Sequence, residues 1–379
     1  MARPESLEEV VMRGHARAMQ LVVGMTLTSL LGGCSPAASP SPPPANSTST
    51  ATAVETAVSM APGAVSGGRW KCPLPPASYS PIGTTTDLPA PQRLAGVPPA
   101  DGFGRGFSII EGPVWLGDAL YVSQISGSAP PPPSRLLKVF PGSPATVVAP
   151  NAGTNGLAIL PNGDLVGAVS LPSAGSVSLI PLSSPADPVP IAGLFGGARF
   201  NSPNDLAVRS DGNIYFSDPT WQAPNPSPQA KTRVYRISPL PEAAVSVIDD
   251  TLGNPNGVTL SLDENTLYVS GPGLYKYPVN ADGSVGARQD AVPNPIVYRG
   301  SDGMVFDCAG DIYVATGSLV TVIDPSGNKV RDITIPVNVA GAVTNVAFGG
   351  ADHKTLFITT LGSTPGIFTI AMPLPGMPY

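Results

Sequence analysis

The sequence predicts an all-β fold, a six-bladed β-propeller, on three observations. An alternating strand, a turn rich in Gly, Asp or Asn, and a second alternating strand recur six times. The heads of successive units stand 43 to 52 residues apart, close to the period of roughly 45 residues that four-stranded blades show. The 42 Gly and 47 Pro punctuate short segments along the chain, a pattern of many short strands joined by turns rather than of long helices.

The units open in order at Glu111 (EGPVWLGDALYVSQ), Asn155 (NGLAILPNGDLVGA), Asn204 (NDLAVRSDGNIYFS), Asn256 (NGVTLSLDENTLYVS), Asp302 (DGMVFDCAGDIYVA) and Asn345 (NVAFGGADHKTLFIT). Further short strands follow within units, such as RVYRI from Arg233 and LYKYP from Leu274. Residues 75–110 are expected to add an outer strand beside the last unit, closing the ring so that no long sheet edge stays unpaired.

Three segments divide the chain: 1–34, 35–66 and the propeller at 67–379. Residues 20–31 form an apolar run of signal-peptide length, too short to span a bilayer, after Arg13 and Arg17 and before Leu31-Gly32-Gly33-Cys34. Small residues before a cysteine resemble a bacterial lipoprotein signal, with lipid on Cys34; a plain secretory signal is the alternative. Glu5, Glu8 and Glu9 are unusual before such a run, and translation from Met12 would leave an ordinary basic start. Residues 35–66, almost wholly Ser, Pro, Ala, Thr, Val and Gly, have too little apolar surface to fold and read as a spacer. The expected address is the bacterial cell envelope, periplasm or outer membrane, with the membrane met through the lipid alone. In that oxidising compartment Cys72 and Cys308 are expected to form a disulfide, two buried thiols being the alternative.

Composition excludes several functions. Charged residues make up 12% of the chain and the formal charge is −6, with no basic cluster beyond Arg17, so a nucleic-acid partner is not expected. The two histidines are His15 and His353, and His15 leaves with the signal. A histidine-rich metal site or a Ser-His-Asp triad would rest on one residue, so Ser202 has no histidine to activate it. A monomer is expected.

The unit heads read Glu, Asn, Asn, Asn, Asp, Asn, each a carboxylate or an amide. In a propeller the innermost strand of every blade starts at the axis, so six equivalent heads meet around one channel. Oxygen donors without nitrogen or sulfur describe a hard divalent cation, Ca²⁺ ahead of Zn²⁺, Mn²⁺ or Mg²⁺. The competing reading is turn chemistry, or a ring of polar groups holding water.

Glu111-Gly-Pro-Val-Trp115, Asn201-Ser-Pro-Asn-Asp205 with Phe216-Ser-Asp-Pro219, Asn256-Gly257, Asp302-Gly-Met304 and Thr344-Asn-Val-Ala-Phe-Gly-Gly350 together resemble the gluconolactonase, regucalcin and luciferin-regenerating-enzyme family, over roughly residues 100–371. The resemblance implies a six-bladed propeller with one catalytic divalent metal. Glu111, Asn256 and Asp302 match the family's metal ligands, and Asn204 an asparagine that binds metal in some members and substrate or water in others. Asn155 matches a channel residue near the substrate, and Asp302 an aspartate that serves as base or nucleophile. Animal members carry an arginine two residues before the equivalent of Asn204; here Ser202 stands there, which opens the substrate question to smaller or more apolar lactones and esters.

The expected reaction is lactone or ester hydrolysis at a metal-polarised carbonyl, with Asp302 as base or nucleophile. Two rivals are an organophosphate or aryl-ester hydrolase using the same site, and a non-catalytic ligand-binding propeller with structural calcium. Trp221, on a proline-rich loop, is a candidate pocket wall beside Asn155, Ser202 and Asn204, whereas Trp115 reads as core. Asp205 and Asp218 read equally as loop-holding residues or as supports of the site, and His353 as an exposed turn residue.

Overall fold

The computed structural model describes residues 70–97, 107–127, 132–171, 174–337 and 341–379. The expected signal, Cys34 and the spacer lie outside the described residues. Within them the chain forms antiparallel strands and two short 3₁₀ turns, Pro76–Ser78 and Pro295–Tyr298. No helix among the described residues is long and apolar enough to cross a membrane.

Short alternating segments bounded by Gly, Asp and Asn fold back on themselves as meanders, since each turn returns the chain beside the strand it has just left. Four such meanders form separate four-stranded sheets. Their first strands are Thr154–Ile159, Leu206–Val208, Val258–Leu260 and Ser301–Phe306. The earliest meander starts with Ser108–Leu116 and the latest with Ala342–Gly349. These two join into one eight-stranded sheet through the pairs Ser108↔Gly362 and Ile109↔Leu361. The outermost strand of the latest meander comes from the other end of the chain: Gln92–Arg93 pairs with Ile367–Ala371, Gln92 opposite Thr369.

The first strand of each meander lies beside the first strand of the next, and that of the latest beside that of the earliest. Apolar side chains fill the spaces between neighbouring meanders. Val166, Phe200, Leu206, Phe216 and Tyr235 pack between the second and third, and Val305, Tyr313, Val346, Phe348 and Ile358 between the fifth and sixth. Ile110, Trp115, Val122 and Phe357 close the junction of latest and earliest, with Trp115 stacked on Phe357 at 5.5 Å. Inner strands covered on both faces are buried throughout, as at Ala119–Ser126. Outer strands such as Lys329–Thr334 are mostly exposed or half-buried, with Ile333 turned inward.

Both ends of the described chain run across that junction. Cys72 is disulfide-bonded to Cys308 of the fifth meander, with 5.6 Å between Cα atoms. The Ile82 amide donates to Asp311 Oδ2 (3.1 Å), and Arg331 donates to Thr86 O at 2.5 Å. Farther on, Leu94 N donates to Ile367 O (2.8 Å) and Ala145 N of the earliest meander donates to Gly96 O (2.9 Å). The C-terminal residues take a parallel route. Cys308 N donates to Pro375 O (2.8 Å), Phe348 N to Met377 O (3.0 Å) and Trp115 N to Pro378 O (2.8 Å). His353 differs from expectation: it sits in a turn with φ 54°, but Trp70 stacks on its ring at 4.1 Å and leaves it half-buried.

Candidate functional site

Five of the six unit heads are buried polar residues: Glu111, Asn155, Asn204, Asn256 and Asn345, 2% to 9% exposed. Asp302 is half-buried. Glu111, Asn155, Asp302 and Asn345 lie within first strands and Asn204 and Asn256 two residues before theirs, rather than in the turns between strands. Turn chemistry therefore does not account for them; the turns are made by later residues, such as Gly117 and Gly163 with positive φ.

At the heads the ladder skips. Pairing jumps from Glu111 to Val114, from Thr154 to Leu157, from Ser301 to Met304 and from Val343 to Asn345. Such bulges turn a side chain out of the strand's regular alternation. The residue after the head is glycine in four units, and the neighbouring meander explains why. A Cβ on Gly112 would overlap the backbone of Asn155 and Leu157, one on Gly156 the backbone of Asn204 and Asp205, one on Gly257 the Asp302 carbonyl, and one on Gly303 the Asn345 amide. Asn155, Asn204, Asp302 and Asn345 thus each rest on the glycine of the unit before.

Hydroxyls at the ends of second strands hold the heads in register. Ser217 Oγ donates to Asn256 O (2.6 Å) and accepts from Asp205 N (3.1 Å). Ser270 Oγ donates to Asp302 O (2.7 Å) and accepts from Gly257 N (2.8 Å). Thr359 Oγ1 donates to Asn345 O (3.2 Å). Sequence reasoning passed over these residues, although YVS, YFS and YVS recur at the same place in three units, ending at Ser123, Ser217 and Ser270.

Three carboxylates gather at this end of the strands. Glu111 Oε2 accepts from Gly112 N at 3.2 Å and from Asn345 Nδ2 at 3.4 Å. Burial first, and then the charge of Asp205, push its carboxyl up to about 8. Asp205, 8% exposed, is raised by burial to about 6 despite hydrogen bonds from Val258 N, Leu206 N and the Asn345 side chain. Burial, Glu111 and Asp205 together raise Asp302 well above the usual carboxylate range, against hydrogen bonds from Gly303 N and the Asn256 side chain. Sequence reasoning named Asp205 without deciding its role; the structure places it among these charges.

The donor set suits a hard cation. Asn256, which donates to Asp302, keeps a buried Oδ1 with no hydrogen-bond partner, and so does Asn155. Buried orphaned oxygens and mutually repelling carboxylates both carry a cost that a cation among them removes. Among the described residues no three His, Cys, Asp or Glu side chains form a metal-binding group on their own; the set needs the asparagine oxygens to be complete.

The remaining expected residues lie on the loop between the second and third meanders and on the one after Asp218. Ser202 is fully buried, and its hydroxyl donates to Pro219 O at 2.7 Å, so its polar group is engaged within the loop. Asp218 accepts from Asn201 N (2.9 Å) and Ser202 N (2.8 Å), a loop-holding role. Trp221 is half-buried on the following loop. Gln222 Oε1 is another buried oxygen without a partner, and Gln222 lines a small cleft with Asn155, Thr154 and Ser170.

Antiparallel meanders that carry buried carboxylates and amides on the bulged starts of their first strands define the class of protein. The family described as SMP-30/Gluconolactonase/LRE-like region matches residues 109–362, and the chain belongs to it. Pentonolactonase XacC of Haloferax volcanii is 32% identical over 143 residues, covering 36% of this chain and 47% of that protein. A solved gluconolactonase of Xanthomonas campestris aligns with a TM-score of 0.58 at 25% identity, over 78% of this chain and 98% of that one. A calcium-binding protein of Agrobacterium tumefaciens, regucalcin, shares the fold at a TM-score of 0.56 and 18% identity, over 76% of this chain and 98% of that one. The chain spans about half the length of the curated relatives it matches, 47% and 49% for two of them.

Proposed function

We propose that this protein is a six-bladed propeller that hydrolyses lactones at a site built around one divalent cation, calcium by its donor set. The observation that carries the reading is the grouping of Glu111, Asp205 and Asp302 within electrostatic reach of one another, beside an Asn256 amide oxygen left without a partner. Lactone-opening relatives within the family support the substrate class.

In this reading Glu111, Asn204, Asn256 and Asp302 hold the cation, and Asn155 faces the substrate from the neighbouring strand. A bound cation supplies polarisation of the lactone carbonyl and compensates the negative charge that develops on its oxygen. Asp302 is the less buried of the two head carboxylates. It takes the proton from the attacking water and returns it to the ring oxygen as the acyl C–O bond breaks, or it attacks the carbonyl carbon itself. In the second case the ring oxygen is expelled and takes a proton from water, leaving an acyl anhydride that a second water hydrolyses. The Asn256 amide hydrogen bond and the Gly303 N–H keep its carboxylate oriented in either role. Trp221 borders the substrate from its loop; Ser202, with its hydroxyl engaged, is not assigned a contact.

The test is hydrolysis of aldonolactones, butyrolactones, longer-chain lactones, aryl esters and an organophosphate, each with Ca²⁺, with EDTA, and with Asp302→Asn. Lactone turnover that requires the metal and falls by at least about 10³-fold in Asp302→Asn is expected. Lactone turnover undiminished by EDTA overturns the metal reading. Preferential turnover of aryl esters or the organophosphate replaces the substrate class, and tight calcium retention without any turnover makes this a binding propeller.

A further inference from the structure

We propose that Asp205 and Asn345 form a strut beneath the head carboxylates, acting as positioning residues that set the site's affinity for its cation. The proposal rests on the cation reading above and assigns neither residue to the cation itself.

Asp205 reaches two sheets beyond its own. Its Oδ1 accepts from its own neighbour Leu206 N at 3.0 Å, and its Oδ2 accepts from Val258 N at 3.0 Å. Val258 lies two residues past Asn256, so the carboxylate pins that strand just beyond its head. The Asp205 N–H donates to Ser217 Oγ (3.1 Å), which donates to Asn256 O (2.6 Å). Asn256 is therefore held from both sides by one residue of the preceding meander. On its other flank Asp205 packs so close to Gly156 that a Cβ there would stand 2.7 Å from Oδ1.

Asn345 does the same from the latest meander. Its side chain hydrogen-bonds Asp205 and donates to Glu111 Oε2 at 3.4 Å. Its Oδ1 accepts from Val346 N at 2.8 Å, and its amide lies where a side chain on Gly303, next to Asp302, would be. Through these two side chains the positions of Glu111, Asn256 and Asp302 depend on one another, although the three sit on three different meanders.

An amide at 205 would avoid burying a third charge beside two others, which is costly, but its single oxygen accepts only one of the two N–H groups, Leu206 and Val258, that the carboxylate accepts. A carboxylate there gives what an amide does not: negative charge directed at a cation bound by its neighbours. Residues that orient ligands in this way typically change metal affinity by 10–100-fold when altered.

The experiment is calorimetric titration of calcium into the metal-stripped full protein and into Asp205→Asn and Asn345→Ala, with melting temperatures in EDTA and lactone kinetics across calcium concentrations. Calcium affinity about tenfold or more weaker in both variants is expected, with both variants still folded and melting cooperatively in EDTA. Saturating calcium is expected to restore most of the Asp205→Asn turnover, a rescue that a purely structural role does not give. Either variant, folded and binding calcium within twofold of wild type, overturns the strut. A wild-type protein that binds no calcium overturns the cation reading itself.

Discussion

At the scale of single residues, burial raises the carboxyls of Glu111, Asp205 and Asp302, and the neighbouring carboxylates raise Glu111 and Asp302 further. Native Glu111 keeps its proton up to about 8, whereas an unfolded glutamate releases it above roughly 4.3. Between those limits the native state binds more protons than the unfolded state, so raising the pH favours unfolding. The metal-free protein should therefore lose melting temperature from about pH 5 to about pH 8. Asp218 and Asp307, each raised by burial to about 7, add to that loss but lie outside the site. Calcium should make the decline shallower without abolishing it, because it removes the contributions of Glu111, Asp205 and Asp302 but not those of Asp218 and Asp307. Calcium uptake should also release protons, read as a dependence of binding heat on buffer ionisation, and affinity should rise with pH until about 8. A melting temperature that rises over this range in EDTA would contradict the assignment.

At the scale of elements, the site depends on how each strand begins. The bulges at Glu111, Asn155 and Asp302 lift the heads out of the ladder, and the following glycines let the neighbouring strand come close. Gly303→Ala has no room beside the Asn345 amide and is expected to cost about 2–3 kcal/mol in denaturant unfolding and to weaken calcium binding with it. Ser270→Ala leaves the buried Gly257 N–H and Asp302 carbonyl with one partner fewer and should cost about 1–3 kcal/mol. These elements were partly legible beforehand. The alternation in NDLAVRSDGNIYFS announces two strands and a turn, because side-chain direction in a strand has period two. Why glycine follows the heads was not legible: NG and DG signal a turn locally, and the clash that forbids a side chain comes from a residue roughly 45 positions away.

At the scale of the whole molecule, the junction between latest and earliest meanders is bridged by both ends of the described residues. Gln92–Arg93 completes the last sheet, Gly96 reaches the earliest one, and Cys72 is tied to Cys308 of the fifth meander. The disulfide closes a loop with a sequence separation of 236, and long loops gain most from closure in chain-entropy terms. Replacing both cysteines by serine is expected to lower stability by about 2–5 kcal/mol while leaving calcium affinity nearly unchanged, since neither sulfur touches the heads. A disulfide fits an oxidising compartment, and we propose that the protein is exported and lipid-anchored at Cys34. Cys34→Ser should then move it from the membrane fraction to the soluble envelope fraction, and membrane retention of that variant would refute the anchor.

The amino-acid sequence determined the strand alternation, the six in-phase polar heads and a histidine count of two, His15 and His353. All of these follow from residue type and short-range spacing. Tertiary structure alone decided that Asp205 stands with Glu111 and Asp302, that Ser202 turns inward to Pro219, that Trp70 covers His353, and that Asn345 links Asp205 to Glu111. Each of those relates residues that are not neighbours in the sequence. It arises from how neighbouring sheets pack, and no local pattern encodes which buried carboxylate will meet which.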